Sequence, residues 1–229
     1  MSQNKTGKYI KYAIGEIFLV MIGILLALQV NNWNENKKSE ARLDAILKDI
    51  NTEFIENKKQ LAFIKSGHQD CYNSIKKVIA LFPINLKTID LDSLQSNVLN
   101  LFANWTFEPK VNRINTLINS SDFNLIDNKA LQDLLIFWES IYNDYNEDEQ
   151  AAIDYNFNQL YPYLEQYFPS DLNLKDPRFN INILESIEFE NKMASRFRAL
   201  RDILENNTNE LQVLETTIDK IIELTESAE

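Results

Sequence analysis

The strongest hydrophobic pattern in the chain is an apolar stretch near its N-terminus, over Ala13–Val30. Eleven of its 18 residues are Leu, Ile, Phe or Val, and its one formal charge is Glu16. With Ile10 and Tyr12 before it, the stretch reaches the ~20 residues that a helix needs to cross a ~30 Å hydrocarbon layer. The eleven residues favour insertion by roughly 5 kcal/mol, more than the ~2.5–3.5 kcal/mol cost of an acid at mid-bilayer. The pattern predicts a transmembrane anchor over residues 12–32.

Aromatic residues flank this anchor at both ends. Tyr9 and Tyr12 precede it and Trp33 follows it, as expected of side chains that sit at the two membrane–water interfaces. A cleaved signal peptide is the alternative interpretation. The apolar run is long for a signal peptide, and residues 28–30 (Leu-Gln-Val) do not form a small-x-small cleavage site. An uncleaved anchor is therefore favoured.

One face of the anchor predicts contact with another helix. Glu16, Val20, Gly23 and Ala27 lie at helical spacing, and Gly23 and Ala27 form a small-xxx-small pair that permits close helix approach. The alternative is that small residues are simply common in such helices. Glu16 suggests a polar partner or an ion-coupling role. Because the sequence offers one acid here and no relay partner, pairing across an oligomer or with another membrane protein is favoured over ion coupling. The alternative is a shallow acid that reaches the water among the lipid headgroups.

Beyond the anchor the apolar residues recur at the i, i+3, i+4, i+7 spacing of amphipathic helices. The first such helix is predicted over Lys37–Lys65 and is expected to stop at Gly67, since glycine tolerates the left-handed conformation at a helix end. A second is predicted over Asp70–Leu81, before Pro83. A loop is expected over 84–91, followed by short helices over 93–104 and 110–118.

The C-terminal half predicts two longer helices. One begins at Asp127 or Asn128, both good N-caps, and runs to about Tyr145. Pro162 predicts a kink or break. The last helix is predicted over Ile183–Glu226, packed antiparallel to the first amphipathic helix. The fold class is therefore all-α, with one N-terminal transmembrane helix that continues into a long-helix bundle outside the membrane.

Charge divides the chain into three parts: a short basic tail (1–11), the anchor (12–32) and an acidic helical domain (33–229). Beyond Val30 there are 20 Lys/Arg (23 − 3) against 33 Asp/Glu (34 − 1), a net charge of −13. Nucleic acid repels such a surface, so a nucleic-acid role is disfavoured. Lys and Arg flank the anchor in nearly equal number, but only the tail lacks acids. We therefore expect an inner-membrane protein with its N-terminus in the cytoplasm and its body in the periplasm.

Residue types limit the possible chemistry. The body contains a single glycine, Gly67, so neither a phosphate-binding loop nor a dinucleotide motif can be built. His68 and Cys71 are two potential zinc ligands one turn apart, but a site needs at least three. The run Glu147–Glu149 is interpreted as a solvated face or a helix start, and Cys71 as a buried small residue. No cofactor, metal or catalytic residue is predicted, and the chain is not expected to be an enzyme.

Aromatic residues are dense between Trp138 and Phe168. Ligand pockets are rich in aromatic side chains, so Trp138, Tyr142, Tyr155 and Tyr161 are candidates to line one. The alternative is that these residues belong to an ordinary core.

Two stretches of the sequence carry a resemblance. The segment GKYIKYAIGEIFLVMIGILLALQVNNWNE (7–35) is similar to the start of a family of small single-pass membrane proteins of Bacteroidota, the domain of unknown function numbered 6090. NTLINSSDFNLIDNKAL (115–131) resembles a second part of that family, although relatives carry a glycine where this chain has Asp122. The resemblance implies an envelope membrane protein and supplies no catalytic residues.

These observations favour a membrane-anchored interaction or accessory subunit of an envelope complex. Its expected partners are the lipid bilayer and either further copies of itself or another membrane or envelope protein. The alternative is a periplasmic sensing or ligand-binding bundle that acts through a membrane partner.

Overall fold

The computed structural model describes residues 5–226, and it is built from helices throughout. No strand occurs in this range, which confirms the predicted all-α class. The α-helices are α1 (Lys5–Ile79), α2 (Leu91–Asn100), α3 (Asn112–Ile118), α4 (Lys129–Tyr155), α5 (Tyr161–Tyr167), α6 (Ile187–Glu205) and α7 (Glu210–Glu226). Two 3-10 helices (Ser121–Leu125 and Ile181–Glu185) and a π-helical turn (Asn156–Leu160) lie between them.

Helix α1 is continuous from the apolar segment into the core, so the predicted stop at Gly67 is wrong. Gly67 lies inside the helix, where the Trp105 indole packs directly on its backbone. A Cβ at position 67 would lie 2.3 Å from Cε2 of Trp105. The glycine therefore allows a close approach between a loop and the helix, rather than ending the helix. The helix instead ends at Ile79, shortly before Pro83.

The C-terminal helix is interrupted, contrary to the single helix predicted over 183–226. Helix α6 starts after Ser186, whose Oγ accepts a hydrogen bond from the Phe189 backbone N–H at 3.1 Å. It ends at Glu205, and α7 begins four residues after Asn206 with a hydrogen bond of 3.1 Å from Glu210 N–H to Asn206 Oδ1. Asn209 adopts a positive φ of 55°, a conformation that asparagine tolerates better than most residues.

The two C-terminal helices run antiparallel to α1, as predicted. The ring of Phe82 packs against Phe189, with ring centroids 5.9 Å apart. Further along, Lys65 Nζ lies 2.7 Å from Glu215 Oε1. Near the anchor end of the body, Asn51 Nδ2 donates to Thr225 Oγ1 at 2.9 Å. Residue numbers fall along α1 as they rise along α6 and α7, so the chain returns toward its anchor.

Helix α4 packs against α6 and α7 and completes the core. Its predicted N-cap is confirmed, since Asn128 Oδ1 accepts a hydrogen bond from Leu131 N–H at 3.1 Å. The helix extends ten residues beyond the predicted end at Tyr145 (155 − 145), and the π-helical turn follows it. The backbone stays helical from α4 through this turn into α5, so no break occurs at Pro162. The proline instead occupies the first turn of α5, directly after the π-helical turn.

Candidate functional site

The predicted helix-packing face is open in the described chain. Glu16, Val20, Gly23 and Ala27 are all exposed on α1, as is every side chain from residue 12 to residue 38. A Cβ built on Gly23 meets nothing within 4 Å. The segment is long and apolar enough to cross a membrane by length and composition, and none of its apolar window is buried. No other part of residues 5–226 covers this face.

The flanking aromatic residues have a spacing that suits a membrane. Tyr12 and Trp33 are exposed and lie 21 residues apart (33 − 12) on one continuous helix. At 1.5 Å per residue they are separated by about 32 Å along the helix axis, close to the ~30 Å hydrocarbon thickness. The side chain of Tyr9 lies outside the described residues, as do residues 1–4 of the basic tail.

The four aromatic residues proposed for one pocket are not brought together. Trp138 is buried in the core, edge-on to Phe54 with ring centroids 4.7 Å apart. Trp138 and Tyr142 nevertheless both border a small surface cavity of about 220 Å³, so two of the four residues are brought together there. The hydroxyl of Tyr155 donates to the backbone carbonyl of Lys192 at 2.9 Å and borders neither that cavity nor the larger cleft described next.

Tyr161 lines a separate, mainly apolar cleft of about 430 Å³, which we call the α5 cleft. Its walls come from the end of α2, from α5 and from the turn after α5. They comprise Leu99, Phe102, Tyr161, Leu164, Glu165, Phe168, Pro169, Ser170, Asp171 and Leu172. Of these ten residues only Tyr161 was a candidate from the sequence, because the cleft forms where residues 161–172 meet Leu99 and Phe102, about 60 residues earlier in the chain.

A buried carboxylate, Glu149, lies at the centre of the body. Its side chain is 0% exposed, which corrects its interpretation as part of a solvated face. Oε2 accepts a hydrogen bond of 2.8 Å from Phe107 N–H, and Oε1 accepts one of 2.7 Å from the Tyr145 hydroxyl. His68 Nε2 lies 2.9 Å from Oε1. The carboxylate thus joins α1, α4 and the loop between α2 and α3, and we call this set the Glu149 cluster.

A buried cation contacts the same loop. Arg196 is 2% exposed and donates to the backbone carbonyls of Ala152 at 3.1 Å and Ala103 at 3.3 Å. Burial lowers the pKa of its guanidinium to about 10. Cys71 is buried nearby, as predicted, and burial raises the pKa of its thiol.

Both buried charges have a weak signal in the sequence. Glu149 falls on the helical stripe that includes Tyr145 and Ala152, and Arg196 falls between Met193 and Leu200 on the apolar stripe of α6. A charge at an apolar position of a helix predicts burial with polar partners. Both groups are enclosed and hydrogen-bonded to the loop between α2 and α3, so they hold that loop in place.

The two potential zinc ligands His68 and Cys71 contact different groups. The His68 imidazole is held by Glu149, whereas Cys71 Sγ lies 3.2 Å from the carbonyl oxygen of Asn100. Among the residues that the structure describes, no group of three or more His, Cys, Asp or Glu side chains could hold a metal ion.

The buried tyrosines predict a loss of stability at alkaline pH. Burial is the main cause that raises the pKa above the usual 10.0 for five of them: Tyr72, Tyr142, Tyr145, Tyr155 and Tyr163. A group whose pKa is higher in the folded than in the unfolded protein stabilises the fold fully at pH values below its unfolded-state pKa. This stabilisation is lost as the pH rises through its folded-state pKa. Burial lowers the pKa of Arg196, so this residue changes the stability in the opposite direction as pH rises, but it is one group against five tyrosines.

We therefore expect the free energy of unfolding to fall steadily as pH rises above 10, the ordinary tyrosine pKa. Urea denaturation followed by circular dichroism at several pH values measures this slope. Tyr163→Phe should make the slope shallower, because the pKa of Tyr163 is raised to about 12. A stability that stays constant while near-ultraviolet absorbance shows tyrosinate forming would contradict the prediction.

No family model, curated protein or solved structure matches the chain.

Proposed function

We propose that the protein is a membrane-anchored accessory subunit that joins an envelope complex through its anchor and has no catalytic activity of its own. The observation that carries this proposal is the continuity of α1. One helix runs from an apolar segment whose described side chains are all exposed into the body, where Leu43 is its first buried residue. Contact made by the anchor would therefore be transmitted directly to the core.

The proposal includes a location and an orientation. An inner-membrane anchor with residues 1–11 in the cytoplasm would place the body in the periplasm, in keeping with the basic tail and the resemblance to a Bacteroidota family. The helical stretch over residues 33–42, exposed except at the half-buried Ser39, would hold the acidic body about 15 Å from the bilayer surface. That distance agrees with a net charge that anionic lipid headgroups repel.

The face Glu16, Val20, Gly23 and Ala27 is the proposed contact with a second copy or another membrane protein. Gly23 permits close backbone approach, and Glu16 can accept hydrogen bonds from a partner's polar group. Because the hydrocarbon layer contains no water, a polar side chain there is stabilised more by a hydrogen bond to a partner helix than by contact with lipid.

Purification from native membranes in mild detergent, with native mass and identification of co-purifying proteins, tests this function. We expect a partner, or further copies of the chain, at fixed stoichiometry. Gly23→Ile should abolish its recovery, whereas the matched control Gly15→Ile should retain it, since Gly15 lies about 80° away around the helix. Recovery of the monomeric chain alone would refute the proposal.

A ligand-binding bundle that acts through a membrane partner is a second candidate function. The observation that favours it is the α5 cleft, whose volume of about 430 Å³ falls within the usual range for ligand pockets. A ligand-dependent rise in the melting temperature of the body would support this function.

A further inference from the structure

The α5 cleft has the form of a binding site whose walls are fixed before any ligand arrives. Phe102 packs against Tyr161, with ring centroids 4.8 Å apart, and Phe168 packs against Phe189 of the core at 5.8 Å. Leu164 is buried beneath them. Because these side chains are anchored in the body, the cleft does not need to be formed by the ligand.

One wall of the cleft is held in an unusual backbone conformation. Leu172 has a φ of 52°, in the left-handed region that a leucine seldom adopts, and its side chain is buried in the wall. Its backbone N–H donates to the carbonyl of Pro169 at 2.8 Å, which closes the turn after α5. Such conformations persist only where surrounding contacts enforce them, and they are concentrated at ligand sites.

The apolar surface of the cleft continues outward rather than being covered by the chain. Leu99 at the edge is 45% exposed. Phe157 is 57% exposed and stacks on Tyr161 with ring centroids 5.5 Å apart. A continuous exposed apolar area of this kind marks an interaction site.

The charge at the edge of the cleft is negative. Glu165 and Asp171 line it, and no Lys or Arg does. Asp171 Oδ1 accepts a hydrogen bond from Asn173 N–H at 3.1 Å. Glu165 is exposed and forms no hydrogen bond or ion pair within residues 5–226. The site therefore combines apolar walls with an unpaired carboxylate, which favours a cationic ligand and disfavours an anionic one.

The cleft lies far from the proposed membrane surface. Its α2 wall is fixed beside Asp70 of α1, whose carbonyl accepts a hydrogen bond from Asn100 Nδ2 at 3.2 Å. Asp70 lies 40 residues (70 − 30) beyond Val30, or about 60 Å along the helix. A ligand would thus come from the aqueous phase rather than from the bilayer.

We propose that the α5 cleft binds a small primary amine with an aromatic or short alkyl body. The body of the ligand fills the space between Phe102, Phe168 and Leu172, and its ammonium group lies against Glu165. This inference goes beyond the accessory function and does not depend on it.

Isothermal titration of the full chain in lipid nanodiscs tests the site with three probes of similar size: phenethylamine, phenethyl alcohol and phenylpropionate. We expect the amine to bind most tightly and the carboxylate most weakly. Leu99→Trp should weaken amine binding about tenfold or more by filling the cleft. Glu165→Gln should reduce the preference for amine over alcohol by about twofold to fivefold, the range of one exposed charge pair.

Two matched variants control for folding and for partition of the probes into lipid. Val213→Trp places the same side chain at an exposed position on α7, and Glu190→Gln removes an exposed carboxylate from α6. Both should bind like the unmodified chain. Equal binding of amine and carboxylate would overturn the proposal, as would equal effects of Leu99→Trp and Val213→Trp. Because this experiment uses the isolated chain, its failure is distinct from a failure to recover a membrane partner.

Discussion

Replacing Glu149 with Ala is expected to lower the free energy of unfolding by about 3–5 kcal/mol, because three buried polar groups lose their partner at roughly 1–3 kcal/mol each. The change removes a carboxylate that is 0% exposed and accepts hydrogen bonds from Phe107 N–H and the Tyr145 hydroxyl. It also removes the contact with His68 Nε2 at 2.9 Å. These polar groups stay buried without their partner, and each costs free energy when it is left unsatisfied.

Urea denaturation of the full chain in mild detergent, followed by circular dichroism, measures the effect. Glu147→Ala is the matched control, because Glu147 lies on the exposed side of the same helix, and its effect should stay within about 0.5 kcal/mol. Tyr145→Phe combined with Glu149→Ala should cost less than the sum of the two single changes, since the residues share a hydrogen bond. Equal stabilities of the two alanine variants would show that the Glu149 cluster does not hold the loop.

Trp138→Ala is expected to cost about 3–5 kcal/mol of stability, the usual range for removing a large aromatic side chain from a core. Trp138 is buried and packs edge-on against Phe54, so its loss leaves a cavity where α1 and α4 meet. Its indole N–H has no hydrogen-bond partner in the described chain. Trp138→Phe should therefore cost much less, because it keeps most of the packing and removes an unsatisfied donor.

The neighbouring residue provides a matched control for this prediction. Phe137 is 59% exposed on the same helix, so Phe137→Ala should leave stability nearly unchanged. The same denaturation measurement distinguishes a core role for Trp138 from the ligand role that its aromatic surroundings suggested. A stable Trp138→Ala variant would contradict the core role and return this residue to the list of candidate ligand contacts.

The two buried charges lie beside His68 and Cys71 of α1, and the α5 cleft lies beside Asp70. All three residues fall within one turn of that helix. In the loop between α2 and α3, Ala103 is held by Arg196 and Phe107 is held by Glu149. Phe102, in the same loop, forms part of the cleft wall. Destabilising the Glu149 cluster should therefore also disturb the cleft, whereas changes at Gly23 should not.

Local sequence determined the features that depend on composition and helical period. The apolar segment Ala13–Val30 forms part of one helix that is long and apolar enough to cross a membrane, and no other part of the described chain covers it. Asn128 caps α4, since its side chain can bond a backbone N–H three residues ahead. The all-α class and the antiparallel return of the C-terminal helices followed from the spacing of apolar residues.

Tertiary structure decided what depends on contacts between distant segments. The local sequence predicts that the helix ends at Gly67, yet the helix continues. The indole of Trp105, 38 residues later (105 − 67), packs on this glycine. The local sequence predicts that Glu149 is a surface acid, yet it is buried and is hydrogen-bonded to the Phe107 backbone N–H and to the His68 imidazole. The α5 cleft exists only because α2 and α5 meet in space. Helical periodicity reports which side of a helix is apolar, but the partner that covers that side is set by the packing of the whole chain.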